Sequence, residues 1–446
     1  MDFPPPFSNR HAPSHRFATP GKRRHPLNSM VSASSSALGL DLLSRWAQSR
    51  EETDRLFAVL APSALYQRPI LERHRIVFYI GHLDAFDWNL LRERAGLRRF
   101  LPEFDHLFSF GIDPIDGGLP SDQPGDWPAM SELLSYRSRL RQELDAALAN
   151  APESGDLVQL INIAIEHRLM HAETLEYMFH QLPFDCKIGP ALQQAALVNR
   201  VTPEIINIPP GSVTLGLRRD SGEFGWDNEF EAHVVDVPAF SIDKYKITNG
   251  QFLQFIEAGG YQQRALWPET DWNWKLNSKI LHPVFWVPSK DGFHYRSMFA
   301  EFPLPLEWPV YVSQAEAAAY ARWVGKNLPA ESEWQRAAQG ASPPKEPRAL
   351  WDPLPVGSSP ELRSAFGIED LIGTGWEWTE TPFQPFSGFT PVAAYPGYSA
   401  NFFDGKHYVL KGGSSRTAAC MLRKSFRNWF QAHYQYVYAG FRCVAR

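Results

Sequence analysis

Apolar residues recur every three or four positions in the first part of the chain and lose that rhythm later. Leu42, Leu43, Trp46, Leu56, Val59 and Leu60 keep helical spacing and predict an amphipathic helix over residues 38–60. Ile76, Val77, Tyr79, Ile80, Leu83, Phe86 and Leu90 predict a second helix over 73–91. Two more follow over 131–148 and 156–181, the last stopped by Pro183. Four long helices joined by loops read as a helix bundle. The connection over 108–127 is rich in Gly, Pro and Asp, and a loop of that length inside a domain is often functional. Past residue 186 short alternating runs take over, such as His233-Val234-Val235-Asp236-Val237, broken by Gly, Pro and aromatic clusters. One clear helix follows Ser313, over 315–324. The pattern predicts a multidomain α and α+β protein, with a tail over 1–36, a bundle over 37–186, a linker over 187–204 and a loop-rich α+β domain over 205–446.

Composition agrees with that division. At 446 residues the chain exceeds one ordinary core, and 44% apolar content is enough to fill two. The 37 Pro and 30 Gly fit a second domain built mostly of loops. The first 36 residues carry Pro, Ser, His and Arg without apolar periodicity, which predicts a disordered tail and gives His11, His15 and His25 no role. A net charge of −5 offers no electrostatic grip on nucleic acid or an anionic membrane. No apolar run reaches the roughly 18 residues of a membrane span, and the opening residues do not read as a signal peptide. Cys186, Cys420 and Cys443 are too far apart for a CxxC metal site, and three widely spaced thiols suit a reducing cytoplasm. The expectation is a soluble cytoplasmic protein.

The candidate chemistry lies on the fourth helix, which reads His167-Arg168-Leu169-Met170-His171-Ala172-Glu173. Histidines at i and i+4 share one helical face and reach a common ion. His82, after Gly81 on the second helix, supplies a third imidazole if the two helices face each other. Three neutral imidazoles suit Fe(II), Zn(II), Cu(II) or Ni(II), with positions left for other ligands. An HxxxH pair is common on helices that bind nothing. Here apolar Ile165, Leu169 and Leu175 surround it, where an unpaired imidazole is costly. Glu173 and Glu176 are suited to accept imidazole N–H groups or to face solvent.

These motifs resemble the ergothioneine and ovothiol sulfoxide synthases. That family joins a DinB-like four-helix bundle, carrying a GH and an HxxxHxE motif, to a domain of the formylglycine-generating-enzyme (sulfatase-modifying-factor, C-type-lectin-like) fold. The second domain resembles it at Phe224-Gly225-Trp226-Asp227-Asn228-Glu229, Ile247-Thr248-Asn249-Gly250-Gln251-Phe252, Leu328-Pro329-Ala330-Glu331-Ser332-Glu333-Trp334, Gly375-Trp376-Glu377-Trp378-Thr379, Leu410-Lys411-Gly412-Gly413-Ser414 and Gly440-Phe441-Arg442. The resemblance implies Fe(II) held by His82, His167 and His171, with O2, hercynine and a chalcogen donor as substrates. It also implies that Arg427-Asn428-Trp429-Phe430 holds hercynine, and aromatic faces suit its quaternary ammonium. Formylglycine generation is disfavoured, because it needs a close C-terminal cysteine pair that Cys420 and Cys443 do not form.

The departures bear on the donor. Where the family carries a tyrosine pair, this chain has Phe383 and Phe386, and phenylalanine cannot donate a proton. Where users of γ-glutamylcysteine carry an Asp and an Arg, it has Phe430 and Tyr434, and Met170 stands at a common Gln. A less charged pocket resembles the selenoneine synthase branch, which takes selenium from a selenosugar. Tyr434 or Tyr436 could replace the missing acid. The alternative is an ergothioneine-type sulfoxide synthase using cysteine or γ-glutamylcysteine. A metal-dependent binding protein or sensor is the alternative of another class.

Overall fold

The computed structural model describes residues 39–109, 119–189, 201–344 and 350–446. The expected tail, residues 190–200 of the expected linker and the middle of the 108–127 loop lie outside the described residues.

The first half is helical, as the spacing predicts: α1 (Leu40–Phe57), α2 (Ile76–Leu91), a short α3 (Pro102–Leu107), α4 (Met130–Leu148) and α5 (Gly155–Gln181). In α2, 13 of 16 residues are buried, so it is wrapped on all sides rather than laid on a surface. Ser154 caps α5 by accepting the N–H of Leu157 at 3.3 Å. The helix stops at Leu182, whose extended backbone is what the following Pro183 requires. Its 27 residues span about 40 Å at the helical rise.

Charges inside the bundle fix how α2 meets α5. The Arg168 guanidinium is wholly buried and donates to Asp84 at 2.8 Å, Asp87 at 2.7 Å and the Leu83 carbonyl at 2.8 Å. Arg137 and Arg141 of α4 add bonds to Asp84 at 2.7 and 3.0 Å. Burial opposes ionisation of Asp84, but the three guanidiniums outweigh it and hold its carboxyl far below the usual range. These directional bonds set helix rotation as apolar packing alone does not.

The second half alternates short strands and helices: β1 (Ile205–Ile208), β2 (Gly211–Leu215), β3 (His233–Val237), β4 (Phe240–Asp243), α6 (Asn249–Glu257), α7 (Glu269–Asn277), β5 (Trp286–Ser289), β6 (Gly292–Arg296), β7 (Glu301–Pro303), α8 (Gln314–Trp323), α9 (Glu331–Ala337), β8 (Trp376–Pro382), β9 (His407–Lys411), β10 (Asn428–Gln431), β11 (Ala439–Gly440) and β12 (Val444–Ala445). The four small sheets run β10-β9-β8-β11, β1-β4-β12, β5-β6-β7 and β2-β3. All pairs are antiparallel except β11 on β8. Helices α6 and α8 start on capping boxes: Thr248 with Gln251, and Ser313 with Glu316.

Several motifs quoted from the sequence are scaffolding. Glu377 of β8 is fully buried and takes two bonds from Arg442 at 2.8 Å each, one from Trp334 at 3.0 Å, and lies 3.3 Å from the Lys246 ammonium. Arg442 also donates to the carbonyls of Asp243, Lys244 and Glu369, binding β4, β8 and the C-terminal strand into one unit. The apolar core of the bundle continues without a break into the second half, from Trp46 and Leu175 through Trp226, Trp376 and Tyr438. Among the described residues no helix is long and apolar enough to cross a membrane.

Candidate metal centre

Helices α2 and α5 bring His82, His167 and His171 together, all buried, with one potential ligand atom from each lying within 4.8 Å of the others. No other such group exists among the described residues. The Nε2 atoms of His167 and His171 are 3.1 Å apart. Ring centroids stand 5.2 Å apart for His82–His167, 5.0 Å for His82–His171 and 4.5 Å for His167–His171.

Hydrogen bonding selects the tautomer of His82. Its Nδ1 lies 2.7 Å from the Phe108 carbonyl, which can only accept, so Nδ1 carries the proton and Nε2 presents a lone pair. Burial pushes His82 down to about 4, and burial followed by the neighbouring imidazoles pushes His167 and His171 well below their usual value. All three are therefore neutral donors at neutral pH. The His82 Nε2 and the Nδ1 atoms of His167 and His171 are buried without a hydrogen-bond partner. Orphaned buried nitrogens cost about 1–3 kcal/mol each. A cation shared by His82 Nε2 and the facing Nε2 atoms of His167 and His171 would give the orphaned His82 nitrogen a partner, so this donor set fits a metal ion, and its three-nitrogen chemistry admits Fe(II).

Gly81 makes the His82 bond possible. A Cβ there would come within 2.4 Å of the Phe108 ring. Gly81→Ala should push the Phe108 segment off His82 and weaken metal binding about 10- to 100-fold, the range for loss of a ligand's outer hydrogen bond. Competition with a chromophoric chelator measures this, and unchanged affinity would refute it.

Aromatic rings wall the triad. Phe78 stacks on His82 at 4.8 Å and Phe86 on His167 at 3.5 Å. Tyr79, one turn before His82, lies 5.7 Å from His171, and Tyr395 of the second domain stands edge-on 6.1 Å from His167. Neither tyrosine was singled out from the sequence.

The other side of α5 docks the second domain. Glu166, Met170, Glu173, Tyr177 and His180 fall at i, i+4, i+7, i+11 and i+14, one continuous stripe. Glu166 accepts from Trp226 at 2.8 Å and Arg423 at 2.7 Å. Met170 receives the Tyr398 hydroxyl at 3.3 Å. Glu173 accepts from Trp376, Ser414 and Thr417 at 2.8, 2.5 and 2.7 Å. His180 lies 3.2 Å from the Tyr438 hydroxyl. Glu173 thus neither supports an imidazole nor faces solvent, and Glu176 is held by Arg416. The HxxxHxE spacing places its glutamate on the docking stripe.

The remaining candidates form three groups. Phe383 is buried and stacks on Trp429 at 4.3 Å, with Tyr398 edge-on to Trp429 at 5.2 Å; the Asn428 side chain accepts the Trp429 N–H at 2.9 Å. Phe430 stacks on Tyr434 at 5.1 Å, and Tyr436 lies edge-on to Tyr434 at 5.3 Å. Phe386 sits apart, against His233 at 4.5 Å and under the Arg427 guanidinium at 4.0 Å. None of the six candidate aromatics, Phe383, Phe386, Trp429, Phe430, Tyr434 and Tyr436, stands among the rings that contact the triad. The Tyr434 hydroxyl accepts from Arg73 at 2.9 Å, and Arg73 also donates to Tyr177 at 3.1 Å. A guanidinium from the bundle therefore stands at Tyr434.

Residues 192–446 match the sulfatase-modifying factor enzyme 1-like domain family, and residues 45–175 match the DinB superfamily. The chain is 34% identical over 328 residues to a protein of Mycobacterium tuberculosis named hercynine oxygenase, covering 69% of this chain and 76% of that one. It is 28% identical to ergothioneine biosynthesis protein 1 of Neurospora crassa, covering 86% of this chain and 55% of that one. It is 29% identical to the formylglycine-generating enzyme of Mycobacterium tuberculosis, covering 54% of this chain and 97% of that one.

Proposed function

This chain belongs to the ergothioneine/ovothiol sulfoxide synthase family, and on that premise we propose that it is an Fe(II)- and O2-dependent enzyme joining a thiol donor to the imidazole of hercynine. The observation that carries the reading is the convergence of three buried, neutral imidazoles at one point on α2 and α5. His82, His167 and His171 would hold the iron. In the balanced reaction one imidazole C–H, one thiol S–H and one O2 give a C–S bond, one sulfoxide oxygen and one water. Bound iron would supply the reduction of oxygen. The protein's part is to exclude water and place the substrates. Phe78 and Phe86 shield two of the ligand rings, and the faces of Trp429 and Phe430 suit a trimethylammonium group. A proton donor beside the site serves the reaction. Tyr434 and Tyr436 are candidates for it, and we favour Tyr395 because its ring stands against His167. The three free cysteines suit a reducing cytoplasm.

The relatives' names favour the sulfur alternative over the selenium reading. Cysteine or γ-glutamylcysteine is therefore the donor class we adopt, and the Arg73 guanidinium suits a donor carboxylate. A selenosugar remains the second reading because Phe430 and Tyr434 form a neutral aromatic stack. Incubation of Fe(II)-loaded protein with hercynine, O2 and each donor separately, followed by product mass, decides between them. Product from cysteine or γ-glutamylcysteine is expected. Product from the selenosugar alone would reverse the order, and product from none would remove the enzyme reading.

A further inference from the structure

The segment from Val392 to Ser399 carries Tyr395 to the metal centre without belonging to any helix or strand. It is two successive turns, closed by Tyr395 N–H to the Val392 carbonyl at 3.0 Å and Tyr398 N–H to the Tyr395 carbonyl at 3.1 Å. Turns of this kind do not hold a side chain in place on their own. One buried carboxylate grips both ends: Asp227 accepts the Val392 N–H at 3.3 Å and the Ser399 hydroxyl at 2.5 Å.

The residue before Asp227 ties the same point to α5. The Trp226 indole donates to Glu166 at 2.8 Å, and Glu166 is the neighbour of His167. Trp226 also stacks on Tyr398 at 3.8 Å. Glu229 completes the unit by accepting the Trp226 N–H at 2.9 Å and the Arg423 guanidinium that also reaches Glu166. Trp226, Asp227 and Glu229, within four consecutive residues, therefore refer the turn segment to the helix that carries two of the three histidines.

We infer that Asp227 is a positioning residue: its carboxylate holds the 392–399 segment so that Tyr395 stands against the histidine triad. Without it the segment loses a hydrogen bond at each end, keeping the Tyr398 contacts, while the triad, held by α2 and α5, keeps its geometry. The consequence for turnover rests on the proposed reaction, whereas the consequence for the segment itself does not.

Asp227→Ala, Asp227→Asn and Tyr395→Phe, singly and combined, test this in the full chain. Metal content of the Asp227 variants should equal that of the parent. Hydrogen exchange of the 392–399 amides should quicken roughly tenfold or more in Asp227→Ala, with other segments unchanged. Misplacement of about 1 Å can cost 10²-fold in turnover, so kcat should fall about 10- to 100-fold while KM for the imidazole substrate stays within about twofold. Asp227→Asn, which keeps one carbonyl acceptor, should recover part of both effects. Asp227→Ala should add no further loss in the Tyr395→Phe background, which a purely structural role would not produce. Parent-like exchange over 392–399, or losses that multiply in the double variant, would overturn the inference. Should no donor give product, exchange alone still decides it.

Discussion

His167→Ala, and likewise His82→Ala and His171→Ala, should abolish metal binding while leaving the protein folded. Each histidine contributes a buried neutral ring, so its removal strands no charge. Each ring also closes the set of facing nitrogens that makes the site. Loss of a direct ligand should exceed the roughly 10- to 100-fold weakening that loss of an outer partner causes. A ligand bound only by the folded state, at 100 times its dissociation constant, stabilises by about 2.7 kcal/mol. The parent should therefore melt at a higher temperature with Fe(II) added anaerobically than without it, and the three variants should show no shift. Turnover should vanish with the metal. Full metal content and a parent-like shift in all three variants would remove the ligand assignment.

Arg442→Leu should destabilise the second domain by about 3–5 kcal/mol, the usual consequence of breaking a buried pair from one side. It leaves the Glu377 carboxylate in the core with only Lys246 and the Trp334 indole, and frees three backbone carbonyls that Arg442 satisfied. Burial raises the Glu377 carboxyl, but Arg442 and Lys246 outweigh it and leave it below the usual value. A carboxyl depressed in the fold contributes stability above its unfolded value near about 4, and that contribution is lost as pH falls. Glu377→Gln should therefore lose most relative to the parent at pH 7, and the difference should shrink below about pH 4. Urea unfolding at both pH values measures it. A difference that grows on acidification would contradict the assigned sign.

Reading the chain alone went far where one periodicity dominated. The four long helices and the His167–His171 pair are local patterns, and local patterns are what spacing encodes. His82 needed the resemblance, because sequence spacing cannot say that α2 faces α5. What makes them face, Arg168 between Asp84 and Asp87, is a tertiary bond set with no sequence period. Glu173 shows the opposite limit: helical spacing gives its face but not what lies against that face. In the second domain β11 and β12 are two residues each, too short for alternation to register, and exist because β8 and β4 offer free edges. The α6 helix was legible in principle from its Thr248–Gln251 capping box. Tyr395 was hidden for another reason: it reaches the triad from more than 200 residues away through the turn segment anchored by Asp227.

The docking stripe on α5 also bears on how such a protein can change over generations. The candidate ligands His167 and His171 occupy one side of that helix and the seam with its neighbour the other, so the boundary between the two folds runs along a helix rather than through a connecting segment. Recombination that exchanges one bundle for another would import foreign residues at 166, 170, 173, 177 and 180 and set them against partners at 226, 376, 398, 423 and 438 that have no matching history. Hybrids would survive only when both sides of the seam travel together. The two halves are thus expected to be inherited as a pair.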